Sequence, residues 1–289
     1  MVEPVYINPL TDFAFKYLFG YEENKDLLIS FLNSLFPEEG QIVDVVYLNK
    51  ENIGDNKESR ALIYDIHCTT STGKKFIVEM QNRYQTHFRD RAVFYTSADI
   101  YRQGRKGKDW DYSLTPVYGV FLMNFDWKEF ADEPLREDVC LMNMNTKTVF
   151  SDKIKMVFLK LPLLHKTADE CVTTLERWLY ILKNLEHMPT IPHPFTQDPI
   201  FSRLGQVARL GALTKSQRSA YDQSLKNYRD NYAIATTERA EGRAEGRTEG
   251  RTDTARNLIS MGMDDKFIIQ ATGLSMEEIT LLRTSQSTD

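Results

Sequence analysis

Residues 61–81 read Ala61-Leu-Ile-Tyr-Asp65-Ile-His-Cys-Thr-Thr70-Ser-Thr-Gly73-Lys-Lys75-Phe-Ile-Val-Glu79-Met-Gln81. Two runs rich in β-branched and aromatic residues flank Thr70-Ser71-Thr72-Gly73-Lys74, so the stretch predicts a β-hairpin. A type I turn with Gly73 in the left-handed region makes a three-residue loop and pairs Thr70 with Lys74. Under that register Asp65 lies directly across from Glu79. Leu62, Tyr64, Ile66 and Cys68 then share an apolar face with Phe76, Val78 and Met80. Ile63, Asp65 and His67 share the other face with Ile77, Glu79 and Gln81. Opposed side chains sit about 4.5–5.5 Å apart at Cβ, and like charges there destabilise a sheet. Two facing carboxylates on a half-buried sheet therefore call for a cation, a shared proton or open water. A divalent metal such as Mg²⁺ takes this kind of oxygen donor, with waters and phosphate oxygens completing its shell. Gln81, one step along the same face, can orient a water or a phosphate oxygen. The competing reading is a solvated strand face whose acids keep an edge soluble.

Outward from the hairpin, helix and strand signals alternate. Asp12 is placed to cap a short helix over Phe13–Phe19, stopped by Gly20. Asp26–Phe36 is a second predicted helix, with Leu27, Leu28, Phe31, Leu32 and Leu35 at helical spacing and Pro37 after it. Ile42–Leu48, Ala61–Thr69 and Lys75–Gln81 are predicted strands. A helix from about Thr86 to Gln103 follows, then a buried strand Val117–Phe125. Val139–Met144, Thr148–Phe150 and Ile154–Leu161 are candidate strands at one sheet edge.

The chain of 289 residues is 42% hydrophobic and 11% aromatic, enough for a real core, and its net charge of −5 argues against indiscriminate coating of nucleic acid. Residues 83–109 run the other way. Arg83, Arg89, Arg91, Arg102, Arg105, Lys106 and Lys108 outnumber Asp90, Asp99 and Asp109 by four charges. Arg91, Tyr95 and Arg102 share one helical face, suited to sequence-independent phosphate contacts; the alternative is a solvated charge run beside an aromatic stripe. His67 is expected as a satisfied surface histidine, and His87 as a helix flank. Cys68, Cys140 and Cys171 form no C-x-x-C pair, which predicts reduced thiols in a cytoplasmic setting rather than a disulfide framework or a zinc site. No run of 18 apolar residues exists, so neither secretion nor membrane spanning is expected.

The chain divides into 1–166, a mixed core; 167–236, a helical extension with helices expected over Cys171–Leu185, Pro199–Leu210 and Lys215–Ala235; and 237–289. The last part opens with Ala240-Glu-Gly-Arg, Ala244-Glu-Gly-Arg and Thr248-Glu-Gly-Arg. On a helix this repeat makes Glu, Gly and Arg stripes. Like charges at i,i+4 and glycines at about 1 kcal/mol each weaken it in isolation. It reads either as a flexible charged linker or as a helix that pairs in parallel with a second copy through its glycines. The tail carries two short predicted helices joined at Thr272-Gly273-Leu274, similar to a helix-turn-helix element.

Asp65, fourteen residues, then Glu79-Met80-Gln81 resembles the PD-(D/E)XK nuclease signature. More narrowly, Asn8-Pro-Leu-Thr-Asp-Phe-Ala-Phe-Lys16-Tyr-Leu-Phe-Gly20, Phe76-Ile-Val-Glu-Met-Gln81, Arg91-Ala-Val-Phe-Tyr-Thr-Ser97, Leu159-Lys-Leu-Pro162 and Trp178-Leu-Tyr-Ile-Leu-Lys183 resemble the Rpn family of recombination-promoting nucleases and putative transposases. The terminal Thr272-Gly-Leu-Ser275 with Glu278-Ile279 joins them. The resemblance implies a mixed α/β, restriction-endonuclease-like central sheet flanked by helices, followed by an α-helical C-terminal region. It implies a Mg²⁺- or Mn²⁺-dependent DNA endonuclease linked to recombination or transposition, with metal on Asp65 and Glu79, and Gln81 where the signature usually has lysine. Asp12 is a further acidic candidate, and Lys16, Arg83, Arg91 and Arg102 are candidate phosphate contacts. The rival functions are a DNA-binding or transposition accessory module without useful cleavage, and an oligomeric interaction protein whose carboxylates only hold structure.

Overall fold

The computed structural model describes residues 4–48, 51–52, 62–105, 110–125 and 134–286. In these the strands are β1 (Val45–Tyr47), β2 (Glu51–Asn52), β3 (Leu62–Ile63), β4 (Ile66–Thr70), β5 (Lys75–Gln81), β6 (Val117–Met123), β7 (Arg136–Met142) and β8 (Val149–Lys160). The α-helices are α1 (Asp12–Phe19), α2 (Lys25–Leu35), α3 (Phe88–Tyr101), α4 (Thr174–Asn184), α5 (His193–Thr196), α6 (Pro199–Val207), α7 (Lys215–Ser260), α8 (Asp265–Thr272) and α9 (Met276–Gln286). Ala61, Lys106, Lys108 and Asp109, and the side chains of Leu62 and Ile63, lie outside the described residues.

Six strands form one mixed sheet in the order β1-β4-β5-β6-β8-β7, while β2 and β3 make a separate two-stranded ladder. The hairpin has the predicted register: Ile66 pairs with Val78, His67 with Ile77, Cys68 with Phe76 and Thr69 with Lys75. Its turn closes through a Thr70 amide bonded to the Lys74 carbonyl at 2.9 Å, with Gly73 at φ +81°. β5, β6 and β8 run parallel, and β7 returns antiparallel at the edge. Two of the three strands expected there are one 12-residue strand, β8. Only its C-terminal half is buried, so its exposed N-terminal half lacks the apolar alternation that would have joined the pieces.

The strand pattern explains how the sheet is covered. Ile66, Cys68, Phe76, Val78 and Met80 face the main core, where they meet Leu18 and Phe19 of α1, Leu28 and Phe31 of α2, and Trp178 of α4. The opposite face is also covered. Phe88 and Ala92 of α3 pack on Phe121, Met123, Met156 and Phe158, and Tyr95 and Ala98 pack near Ile77 and Val117. The sheet is therefore not half-buried as expected: His67, Glu79 and Gln81 are all buried beneath α3. Gly119 of β6 allows the close approach, because a Cβ there would lie 2.9 Å from Thr96 Oγ1 and 2.7 Å from the Phe121 ring.

Tyr64 corrects the predicted faces. Strand pairing stops after Ile63 and resumes at Ile66, and the bend at Asp65 turns Tyr64 into the cluster of Ile77 and Val117. Its ring meets Tyr95 edge-on at 5.3 Å.

Residues Met1–Tyr228 form one compact unit. The helices beyond residue 166 share its main core, through Trp178, Leu182, Phe195 and Phe201. The start of α7 secures the N-terminal segment: Tyr221 Oη accepts the Asn8 amide at 2.9 Å, and Ser224 Oγ accepts the Phe13 amide at 3.0 Å. Residues Arg229–Asp289 form a second unit. Its small core gathers Ala255 and Ile259 of α7, Ile268 of α8, Leu274 of the turn that follows, and Ile279 of α9. Gly273 ends α8 in the left-handed conformation at φ +66°, and Arg251 donates to the Thr272 carbonyl at 2.5 Å. Among the described residues, no helix is long and apolar enough to cross a membrane.

Candidate functional site: two carboxylates at a broken ladder

The site forms where the hairpin ladder is interrupted. At Asp65 the backbone bends, and two main-chain donors there meet side-chain acceptors where a ladder would offer carbonyls. Carboxylates replace those carbonyls reciprocally. The Asp65 amide donates to Glu79 Oε1 at 3.1 Å, and the Met80 amide donates to Asp65 Oδ2 at 2.9 Å. Each acid is thus locked by the other strand's backbone through one oxygen.

The second oxygen of each acid faces a cation. Asp65 Oδ1 is 3.6 Å from Lys16 Nζ, and Glu79 Oε2 is 3.2 Å from Arg91 Nη2. The Gln81 amide nitrogen donates to the same Glu79 oxygen at 3.5 Å. One cation comes from α1 and the other from α3, so the helices on both sides of the sheet supply charge to its middle. Arg91 is held further by Gln85 Oε1 at 3.3 Å and by the Tyr95 ring, 4.8 Å from the guanidinium carbon.

Burial dominates the electrostatics. Glu79 is 1% exposed, and removal from water, reinforced by the negative charge of Asp65, pushes its carboxyl up to about 8. Burial also raises Asp65, against the opposing pull of the Met80 amide and the Lys16 charge. Both shifts favour the protonated carboxyl, and added positive charge opposes them.

That property bears on whether a metal fits. Among the described residues no group of three or more His, Cys, Asp or Glu gathers as a candidate metal site, so the pair itself is the donor set to judge. It offers the hard oxygens of two carboxylates held side by side. These suit Mg²⁺ or Mn²⁺, which use one or two carboxylates and complete their shell with waters and phosphate oxygens. The residues present fit such an ion.

The remaining candidates sort by distance from the pair. Asp12 is the first residue of α1, not its cap; Thr11 caps the helix, accepting the Ala14 amide. The Asp12 side chain is 68% exposed and binds Lys16 Nζ at 2.5 Å. Its partner is the lysine one turn on, and it influences Asp65 only as a nearby charge. Arg83 lies half-buried on the connection from β5 to α3. Arg102 ends α3, where Nη1 reaches Tyr64 Oη at 3.4 Å and Asp99 Oδ1 at 3.7 Å. Those contacts belong to the far end of α3 from Arg91, so one helical face in sequence becomes two separate positions in space.

His67 departs from its expected surface position. It is 4% exposed, and Nε2 meets Asp99 Oδ2 of α3 at 2.5 Å. Burial pushes the Asp99 carboxyl up, but the His67 hydrogen bond and the His67, Lys75 and Arg102 charges together outweigh it and leave Asp99 below the usual carboxylate range. This bond ties the C-terminal end of α3 to the hairpin. The sequence held one sign of it: Ala92, Thr96 and Asp99 recur at i, i+4 and i+7, which places a charge on the buried stripe of α3. Gln85, which steadies Arg91, left no sign because it lies in a loop.

A protein-family model described as PD-(D/E)XK nuclease family transposase matches residues 9–238, from the turn before α1 to just short of the Glu-Gly-Arg repeat. No curated protein and no solved structure matches the chain. The family match takes in every strand and every residue of the carboxylate site, and with it the protein belongs to the PD-(D/E)XK nuclease family transposases.

Proposed function

We propose that this protein is a metal-dependent DNA endonuclease that hydrolyses phosphodiester bonds in recombination or transposition. The observation that carries the reading is the Asp65–Glu79 pair: a half-buried and a buried carboxylate, each fixed by a backbone amide and each presenting its other oxygen to a cation. Placing two acids side by side away from water costs stability, and a bound cation offsets that cost.

Asp65 and Glu79 would hold Mg²⁺ or Mn²⁺. When bound, such an ion lowers the pKa of a water and neutralises charge on the scissile phosphate. Gln81 cannot take a proton; its amide oxygen can accept a hydrogen bond from the attacking water and orient it. Arg91 keeps Glu79 in place, and Arg83 and Arg102 are candidate phosphate contacts flanking the cleavage point. The water oxygen forms the new bond to phosphorus as one ester P–O bond breaks, and the departing sugar oxygen takes up a proton.

Plasmid nicking with Mg²⁺ or Mn²⁺ tests this reading. Wild type is expected to relax supercoiled plasmid, and Asp65→Ala to lose at least about 10²-fold in rate. Equal nicking by the two proteins defeats it. Salt-dependent DNA binding without cutting would instead favour an accessory module, a reading supported by the uncharged Gln81. The proposal extends to parallel pairing of two copies through residues 240–251, where the Glu stripe of one helix would meet the Arg stripe of the other.

A further inference from the structure

We infer that Lys16 is the catalytic cation of this site, supplying the positive charge that Gln81 does not, and that Asp12 is its positioning residue. The inference rests on the endonuclease reading and assigns a task within it.

Phosphodiester cleavage builds negative charge on the non-bridging oxygens, and catalysis is largely the placement of positive charge against them. Residue 81 lies on the right strand and face for that role, but its amide is neutral and turns back onto Glu79. Among the described residues, Lys16 and Arg91 are the cations seen in ion-pair range of the two carboxylates.

Their surroundings separate them. Arg91 spends one nitrogen on buried Glu79 and another on Gln85, and its plane rests on Tyr95. Moving it would strip a buried carboxylate of its partner, which is costly. Lys16 is engaged differently. Its ammonium makes one short bond, to the exposed Asp12, and stands 3.6 Å from Asp65, beyond hydrogen-bonding distance. An ammonium has three donors, so Lys16 can meet a phosphate oxygen while keeping its bond to Asp12. Its side chain is 28% exposed and its neighbour Asp65 22%, so the ammonium is reachable from solvent beside that acid. The i,i+4 spacing on α1 aims the lysine from below, and α1 is itself fixed by the Thr11 cap and Ser224.

The test compares wild type, Lys16→Gln, Lys16→Arg and the double variant Lys16→Gln/Gln81→Lys in Mg²⁺-dependent nicking, with metal-free binding of a labelled duplex across salt concentrations as a second readout. Lys16→Gln is expected to nick on the order of 10²-fold more slowly and to reduce the salt slope of DNA binding by about 1. Lys16→Arg should keep most activity, and the double variant should nick at least about tenfold faster than Lys16→Gln, because the charge returns from residue 81. Nicking by Lys16→Gln within twofold of wild type overturns the inference and leaves the endonuclease reading standing. A slowed Lys16→Gln with an unchanged salt slope, or no recovery in the double variant, makes Lys16 structural and overturns it too. A wild-type protein that cuts no better than Asp65→Ala removes both.

Discussion

Glu79 sits at the centre of the site with a carboxyl raised to about 8, mainly by burial and then by Asp65. An unfolded glutamate titrates near ~4.3. Between those values the folded chain keeps a proton that the unfolded chain has lost, so this group makes the metal-free protein less stable as pH rises through that window. A divalent ion reverses the balance, because it binds the ionised carboxylate and not the protonated one. Calorimetry should therefore show a Mg²⁺-induced rise in Tm that is small near about pH 6 and grows toward about pH 8.5, with Glu79→Gln removing the response. A pH-independent Mg²⁺ shift would detach metal binding from this pair. The position of Glu79 opposite Asp65 was legible because the turn fixes the register and the register fixes the face. The reciprocal amide–carboxylate bonds were not, since they arise only where the ladder breaks, and a single bend in an otherwise regular strand leaves little mark on hydrophobic alternation.

The elements divide in the same way. β5 occupies its predicted limits because the turn at Gly73 fixes its start and β-branched and apolar residues fill its middle, and α2 buries the five residues named from spacing alone. α3 was found but its role was not. Both of its faces carry aromatics, so spacing could not say which one meets the sheet, whereas the structure fixes this through Gly119 and the His67–Asp99 bond. Gly119 has an ordinary strand backbone, and its requirement is space. A methyl there would press on Thr96 Oγ1, whose hydroxyl already donates to the Ala92 carbonyl at 2.8 Å, and on the Phe121 ring. Gly119→Ala should destabilise the fold by about 1–3 kcal/mol through overpacking. Because α3 also carries Arg91, the substitution should slow nicking at temperatures where the protein remains folded. An unchanged Tm in a thermal melt would show that α3 stands off the sheet more loosely than the contacts indicate.

At the scale of the whole chain, two compact units are joined by one helix, and their anchorage on it differs from its middle. Tyr221 and Ser224 hold the beginning of α7, and Arg251 holds its end onto Thr272 and Gly273. Residues 240–250 are exposed throughout, and a Cβ on Gly242, Gly246 or Gly250 would meet nothing within 4 Å. Three glycines at about 1 kcal/mol each, with like charges at i,i+4, make this the least stable stretch of the helix. Protease cleavage of a helix requires local opening, so limited trypsin treatment should cut α7 first at Arg243 and Arg247. Open space around the glycines means that alanine adds helix propensity without a clash. The triple variant Gly242→Ala/Gly246→Ala/Gly250→Ala should therefore be cut about 100-fold more slowly, the ratio that roughly 3 kcal/mol gives. Protein concentration separates the two readings of the repeat. A linker is cut at a rate independent of concentration. Parallel pairing through the glycine stripe shields the same arginines, so cleavage should slow as concentration rises, in step with an increase in solution mass. Equal cleavage rates at low and high concentration would remove the pairing while leaving the instability of the segment in place.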